Sequence, residues 1–396
     1  MRRGDYSLIV CSYSGMAITW RRDGSEQPIE VSGRIIIDTD SFNRFSFFRR
    51  RSVSAMTEKD NRMISKYREK QENADEKEKK TRKHKWKQND DALHETELTP
   101  YHQMLCTARV RGYSLKLKQW LDFWLNLVSD IQWDDKAFDS LVLPEDQKDL
   151  ILSFTESQVK NGQTFDDVIR GKGRGIIMLL SGSPGIGKTL TAEAVAETMR
   201  VPLHTVTSGD LGSSAWDVES RLSSVLYLVA QWNAILLLDE CDVFLEARST
   251  HDLQRNQIVS IFLRTLEYYE GILFMTTNRV DNIDAAFQSR IHVSLEYPDL
   301  TPSSRRQIWV NIVDVADHDL SETDFDELSM MELNGRQIKN VLKISQLLAR
   351  RRNVALNRQV LETVLAIEKR RPGVGRIVSQ ANEKRDDTMQ PSDPPQ

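Results

Sequence analysis

Apolar residues are distributed in distinct ways along the chain. Between Gly175 and Pro298, five short runs carry little or no polar interruption: Ile176 to Leu180, Leu203 to Val206, Ala234 to Leu238, Ile272 to Thr276 and Ile291 to Leu295. Runs of that length without alternation predict strands buried on both faces. The stretches between them, Thr189 to Met199, Val218 to Ala230 and Leu253 to Tyr269, space their apolar residues for helices, with Leu222, Leu226 and Val229 on one face of the second. Strands alternating with helices predict a doubly wound α/β fold around a five-stranded parallel sheet, over residues 165–299. Beyond Pro302 the strand signal stops, and Arg305 to Val313, Gly335 to Ala349 and Gln359 to Ile367 read as the helices of a small helical domain over 300–370. Residues 371–396 read as a disordered tail.

Upstream, residues 1–48 alternate Ile, Val, Tyr and Trp with Gly and Asp, the pattern of a partial β-rich region, with strands at Tyr6 to Tyr13, Met16 to Trp20 and Val31 to Asp38. From 49 to 98 charge replaces apolar content, and such a segment cannot offset its ordering entropy, so a disordered linker is expected. Its basic cluster, Lys77 to Lys87, reads as solvated linker, with a nuclear-localisation or nucleic-acid patch as the alternative. Residues 99–164 continue the N-terminal region and lead into the sheet, with Trp120, Trp124 and Trp133 as packing residues.

Composition narrows the classes. Lys and Arg total 54 against 58 for Asp and Glu, a net charge of −4, so charge alone implies no polybasic nucleic-acid binder. Three dispersed cysteines, Cys11, Cys106 and Cys241, exclude a disulfide framework and a paired zinc motif. No apolar run approaches the roughly 20 residues of a membrane-spanning helix, and Ser7, Ser12 and Ser14 interrupt any secretory leader. The expectation is a soluble intracellular chain, cytoplasmic or nuclear.

The chemistry sits at strand ends. Gly182-Ser183-Pro184-Gly185-Ile186-Gly187-Lys188-Thr189 follows the first sheet strand and opens a helix, in the spacing GxxxxGK[ST]. Glycines there turn backbone N–H groups toward phosphate oxygens, Lys188 reaches the outer phosphates, and Thr189 offers a hydroxyl to Mg²⁺. The third strand delivers Asp239 and Glu240 to the same sheet edge, where open α/β folds bind ligands; Asp239 suits Mg²⁺ held through water, and Glu240 suits a base for an attacking water. The fourth strand ends at Asn278, placed to orient that water.

These residues resemble the AAA+ ATPases, a family of P-loop NTPases, over about Phe165 to Arg370. Gly182 to Thr189 resembles Walker A, Ile235 to Glu240 Walker B and Asn278 sensor 1. The resemblance implies ATP and Mg²⁺ as cofactors, a helical lid over 300–370 and a homo-oligomeric ring, a hexamer by family habit. It implies that Arg290 completes a neighbouring subunit's site, that Phe287 or Gln288 fills the position of a second arginine, that Arg336 touches phosphate in cis, and that Val168 and Ile169 contact the base. Val31 to Phe42, Gly112 to Pro144, Phe165 to Gly173 and Leu237 to Arg248 resemble, more narrowly, fungal AAA proteins with an uncharacterised N-terminal domain, which implies that residues 1–48 are a remnant of a larger module. Where threading members carry a pore aromatic, this sequence has Ser214, with Trp216 two residues on, either as a shifted grip or as packing between subunits.

The expectation is an Mg²⁺-dependent ATPase that remodels a protein partner as a ring. The alternative is a nucleotide-gated interaction module with little hydrolysis; nucleic-acid remodelling rests on Lys77 to Lys87 alone.

Overall fold

The structure is a computed structural model that describes residues 9–21, 25–45, 108–161, 175–246, 252–279, 283–313 and 318–368. They fall into two compact units, one up to Gln132 and one from Trp133 onward. The charged segment 49–98, Cys106, Val168, Ile169 and the tail from 371 lie outside the described residues.

In the first unit, β1 (Ile9–Trp20) and β2 (Glu26–Ile37) pair antiparallel from Ile9↔Ile37 to Trp20↔Glu26. The sequence reading breaks β1 at Ser14-Gly15, but the ladder runs through both, because β2 offers a partner at each position. After α1 (Thr39–Phe45) come β3 (Arg109–Ser114), β4 (Gln119–Trp124) and the short β5 (Val128–Ser129). β3 pairs with β2 and β4, and β4 meets β1 at Ile18↔Asp122, so four strands close a ring and shed their open edges. Alternate residues point inward: Tyr13, Ala17, Val31, Ile35, Leu121 and Phe123 make the core, with Tyr13 edge-on to Phe123 at 4.9 Å. On the outer side Arg109 lies 4.5 Å from the ring centre of Trp124, and Trp120 packs against Phe42 of α1.

The second unit opens with α2 (Glu145–Asn161), a helix hidden in the sequence by its many charges; Ile151 and Thr155, one turn apart, are its fully buried face. The sheet then consists of β6 (Ile176–Gly182), β7 (Leu203–Thr207), β8 (Ile235–Asp239), β9 (Ile272–Thr277) and β10 (Val293–Tyr297). All are parallel, in the order β10-β6-β9-β8-β7. Met178 and Leu180 of β6 pack with Ala192, Val195 and Ala196 of α3 (Lys188–Met199), while Ile177 and Leu179, which alternate with them, are also buried. That is why the run carries no polar alternation. Two further helices, α5 (Ala215–Gln231) and α7 (Leu253–Leu266), contact each other, and the short α4 (Ser208–Leu211) and α6 (Asp242–Leu245) precede them.

At the edge, the sequence places the last strand at Ile291 to Leu295, two residues early. Ile291 N–H instead donates to Phe287 O, finishing α8 (Ala285–Gln288). His292 then starts the pairing with its side chain: Nδ1 accepts from Ile177 N–H at 3.1 Å while His292 N–H donates to Ile177 O at 2.9 Å.

Four helices follow: α9 (Pro302–Val313), α10 (Glu322–Ser329), α11 (Gly335–Arg352) and α12 (Arg358–Glu368). They enclose their own core of Trp309, Phe325, Leu328, Ile338, Val341 and Leu361. The sequence pattern misses α10 because it has only two turns, and it forms on a capping box in which Ser321 and Asp324 satisfy each other's backbone N–H. No helix among the described residues is long and apolar enough to cross a membrane.

Burial lowers the His292 pKa, and its neutral ring is the one that can accept from Ile177. A group whose folded pKa is depressed contributes stability that is complete above its unfolded value, about 6.5, and that is lost as pH falls through the folded value. Unfolding midpoints taken between pH 7.5 and 5 should therefore fall with pH, and the fall should be smaller in His292→Asn, which removes the titrating ring.

Candidate functional site

The carboxyl ends of β6, β8 and β9 meet at one cavity of about 400 Å³. Its floor is Pro184 to Gly187, the end of a loop from Gly182 that the sequence can only close with glycine. Gly182 sits at φ +137°, and a Cβ there would stand 2.5 Å from Tyr297 O and 2.7 Å from Ile186 Cδ1. Gly187, at φ +112°, is the N-cap of α3, and a Cβ there would meet nothing within 4 Å, so the backbone faces open space. A helix N-terminus reached through such a loop is an anion cradle.

Lys188 is 7% exposed, and its Nζ donates to Gly182 O at 2.6 Å, Ser183 O at 2.8 Å and Asn278 Oδ1 at 2.9 Å. Burial pushes its pKa down, and the nearby carboxylates of Asp242 and Asp239 oppose that shift. Thr189 Oγ1 donates to Asp239 Oδ1 at 3.0 Å, and the same oxygen accepts from Thr276 Oγ1 at 2.6 Å. Glu240, exposed to the cavity, holds a left-handed backbone with φ +54°, and its N–H donates to Thr276 Oγ1 at 2.9 Å. Asn278 N–H donates to Asp242 Oδ1 at 3.0 Å, and Thr277 Oγ1 donates to the same carboxylate.

The donor set fits a small hard cation shared with a phosphate. Thr189 and Asp239 supply a hydroxyl and a carboxylate, while no cluster of three or more His, Cys, Asp or Glu among the described residues forms an all-protein cage. Mg²⁺ is typically held that way, by one or two protein oxygens, substrate phosphates and water.

The helical region supplies the roof. Arg336 N–H donates to Gly185 O at 3.3 Å, and Arg336 and Lys339 line the cavity with Gly335. Asn334 caps α11 by accepting from Gln337 N–H at 2.9 Å, so the start of an 18-residue helix faces the glycine loop. At the far end the walls are Leu141, Val142, Ile308 and Ile312, tied by Asn311 Nδ2 donating to Ser140 O at 2.9 Å. Sequence reasoning misses this wall; the run Leu141-Val142-Leu143-Pro144 and the one-turn spacing of Ile308 and Ile312 are the signals that mark it.

The other singled-out residues stand elsewhere. Arg290 lines no part of this cavity: Nη1 donates to Ala286 O at 2.9 Å and Nη2 lies 3.6 Å from Glu267 Oε2. Phe287 is fully buried and packs 5.8 Å from the ring centre of Phe262, whereas Gln288 is exposed. Ser214 caps α5 by accepting from Asp217 N–H at 3.1 Å, and Trp216 in the first turn is 75% exposed.

Residues 178–299 match the family described as "ATPase family associated with various cellular activities (AAA)". Among similar proteins are a mitochondrial sorting homolog of Caenorhabditis elegans, 28% identical over 46% of this chain and 55% of the relative. The 26S proteasome regulatory subunit 8 homolog B of Arabidopsis thaliana is 27% identical over 55% of each chain. An outer mitochondrial transmembrane helix translocase of Danio rerio is 27% identical over 50% of each. The chain thus spans about half the length of these relatives.

Within the matched segment the glycine loop yields a stability test. Gly182→Ala meets both the strained φ and the carbonyl of Tyr297, whereas Gly187→Ala meets only its φ. Backbone strain of that kind costs about 1–3 kcal/mol. Urea unfolding should show Gly182→Ala as clearly the less stable variant; equal midpoints would contradict the close packing of β10 under the loop.

Proposed function

We propose that this protein binds and hydrolyses ATP with Mg²⁺ and uses the cycle to remodel a protein partner as a ring-shaped homo-oligomer. The observation that carries the reading is the convergence of Lys188, Thr189, Asp239, Glu240 and Asn278 on one cavity over a glycine loop. Phosphoryl transfer demands positioning and charge neutralisation more than covalent chemistry, and these residues offer both.

In this reading the backbone of Gly182 to Gly187 cradles the phosphates and the Lys188 ammonium exchanges loop carbonyls for phosphate oxygens. Thr189 and Asp239 would hold Mg²⁺, which supplies positive charge to the phosphate oxygens when bound. Glu240 takes the proton of the attacking water, and Asn278 orients it. The base sits between Leu141, Val142, Ile308 and Ile312. Residues 300–370 act as a lid, with Arg336 reaching phosphate in cis, and Arg290 leaves Glu267 to complete a neighbour's site. Two similar proteins are named for the proteasome and for helix translocation, which favours a protein as the remodelled partner.

A second reading, a nucleotide-gated interaction module with slow turnover, draws on Arg290 being engaged by Ala286 and Glu267 of its own chain.

ATP turnover per chain across a wide range of protein concentration separates the two. Remodelling by a ring predicts turnover that rises cooperatively with concentration and falls about 10³- to 10⁵-fold in Arg290→Ala, with ATP still bound. Glu240→Gln should bind ATP and lose roughly 10²- to 10⁴-fold in rate. Binding without turnover at any concentration would favour the gated module, and a Glu240→Gln variant as fast as its parent would remove Glu240 from the chemistry.

A further inference from the structure

β8 and β9 run side by side in register from Ile235↔Ile272 to Leu238↔Met275, and there the paired ladder stops. The next residue of β9, Thr276, is 2% exposed and takes over the contact with its side chain and carbonyl. Its hydroxyl donates to Asp239 Oδ1 at 2.6 Å and accepts from Glu240 N–H at 2.9 Å, and its carbonyl accepts from Cys241 N–H at 3.0 Å. Three consecutive residues, including both cavity carboxylates, are therefore anchored to one threonine.

Glu240 needs that anchor. A non-glycine residue at φ +54° is strained and persists where the surroundings over-determine it. The backbone of Glu240 sets the direction in which its carboxylate enters the cavity. Asp239 Oδ1 has two hydroxyl donors, Thr189 and Thr276. A hydroxyl that lends a lone pair to a cation keeps its proton, so both threonines can go on orienting Asp239, and Thr276 is the one of the two that also holds Glu240.

We propose that Thr276 is a positioning residue of the hydrolytic site, using one buried hydroxyl to hold Asp239 and the left-handed Glu240 in working geometry. The proposal rests on the ATPase reading above. It assigns Thr276 no contact with the reacting atoms; its effect passes through the two carboxylates.

Thr276→Val keeps the β-branched shape and removes both hydroxyl bonds, and Thr276→Ser restores the hydroxyl. Three measurements on the full chain are compared: amide hydrogen exchange at Glu240 without nucleotide, the Mg²⁺ concentration for half-maximal binding of a fluorescent ATP analogue, and kcat against KM. Thr276→Val should lose exchange protection at Glu240 while Phe274 stays protected, need several-fold more Mg²⁺, and fall about 10²-fold in kcat with KM within about threefold, the scale expected of a misplaced catalytic group. Thr276→Ser should recover most of each. Unchanged protection at Glu240 in Thr276→Val would overturn the anchor whatever the rate does. Lost protection with an unchanged kcat and Mg²⁺ requirement would overturn its role, as would a Thr276→Ser variant as slow as Thr276→Val. A parent protein that binds no ATP analogue at any Mg²⁺ concentration refutes the ATPase reading itself, and this inference falls with it.

Discussion

A lysine ammonium held out of water constrains everything at the carboxyl end of the parallel sheet. Lys188 is buried, and a buried charge is tolerated only where oxygens surround it. Two loop carbonyls and the amide oxygen of Asn278 bond it, and the carboxylates of Asp239 and Asp242 stand near enough to raise its pKa against the effect of burial. Each of those groups needs its own support. The carbonyls require a loop that only glycines can close, Asn278 requires Asp242 beneath its backbone, and Asp239 requires the two threonines that bond it. The site is thus a set of dependencies that begins at one side chain and ends in the strand order, because β6, β8 and β9 must be neighbours for the bonds to close.

That dependence explains what the sequence disclosed. The glycine loop, the acid pair and Asn278 lie at the ends of strands whose buried runs are legible one at a time, so their meeting follows once a parallel sheet is recognised. The far wall of the cavity is not legible in that way, since Leu141, Val142, Ile308 and Ile312 come from a turn segment and from a helix beyond the sheet. Neither has a strand end to mark it. The same reasoning accounts for Thr276 and Asp242, whose importance lies in bonds to residues 35 to 37 positions away and not in any local pattern. His292 shows the limit at a finer scale: periodicity starts the edge strand at Ile291, but the Phe287 carbonyl of α8 claims that amide and an imidazole begins the pairing.

The first unit follows a different logic. Its alternation is readable in β1 and β2, but their partners β3 and β4 stand some 60 residues beyond α1, across the charged segment 49–98, and no local signal ties them together. The ring closes because alternate residues of β1, β2 and β4, joined by Val110 of β3, are apolar on one side and a closed sheet satisfies the backbone without edges. Its outer side carries Trp and Arg pairs instead of a plain polar surface, with the Arg109 guanidinium over Trp124 and held by Glu26 at 2.8 Å. The helical region beyond the sheet likewise has its own core and yet reaches back, through Arg336 and Asn334, to the glycine loop.

The proposed function of the whole site turns on Lys188 being poised for a nucleotide's phosphates. Calorimetric titration of Mg·ATP into the full chain and into Lys188→Ala tests this most directly. One site per chain is expected in the parent and loss of measurable binding in the variant, with the fold retained by thermal unfolding. Equal binding by the two proteins would contradict the role given to Lys188.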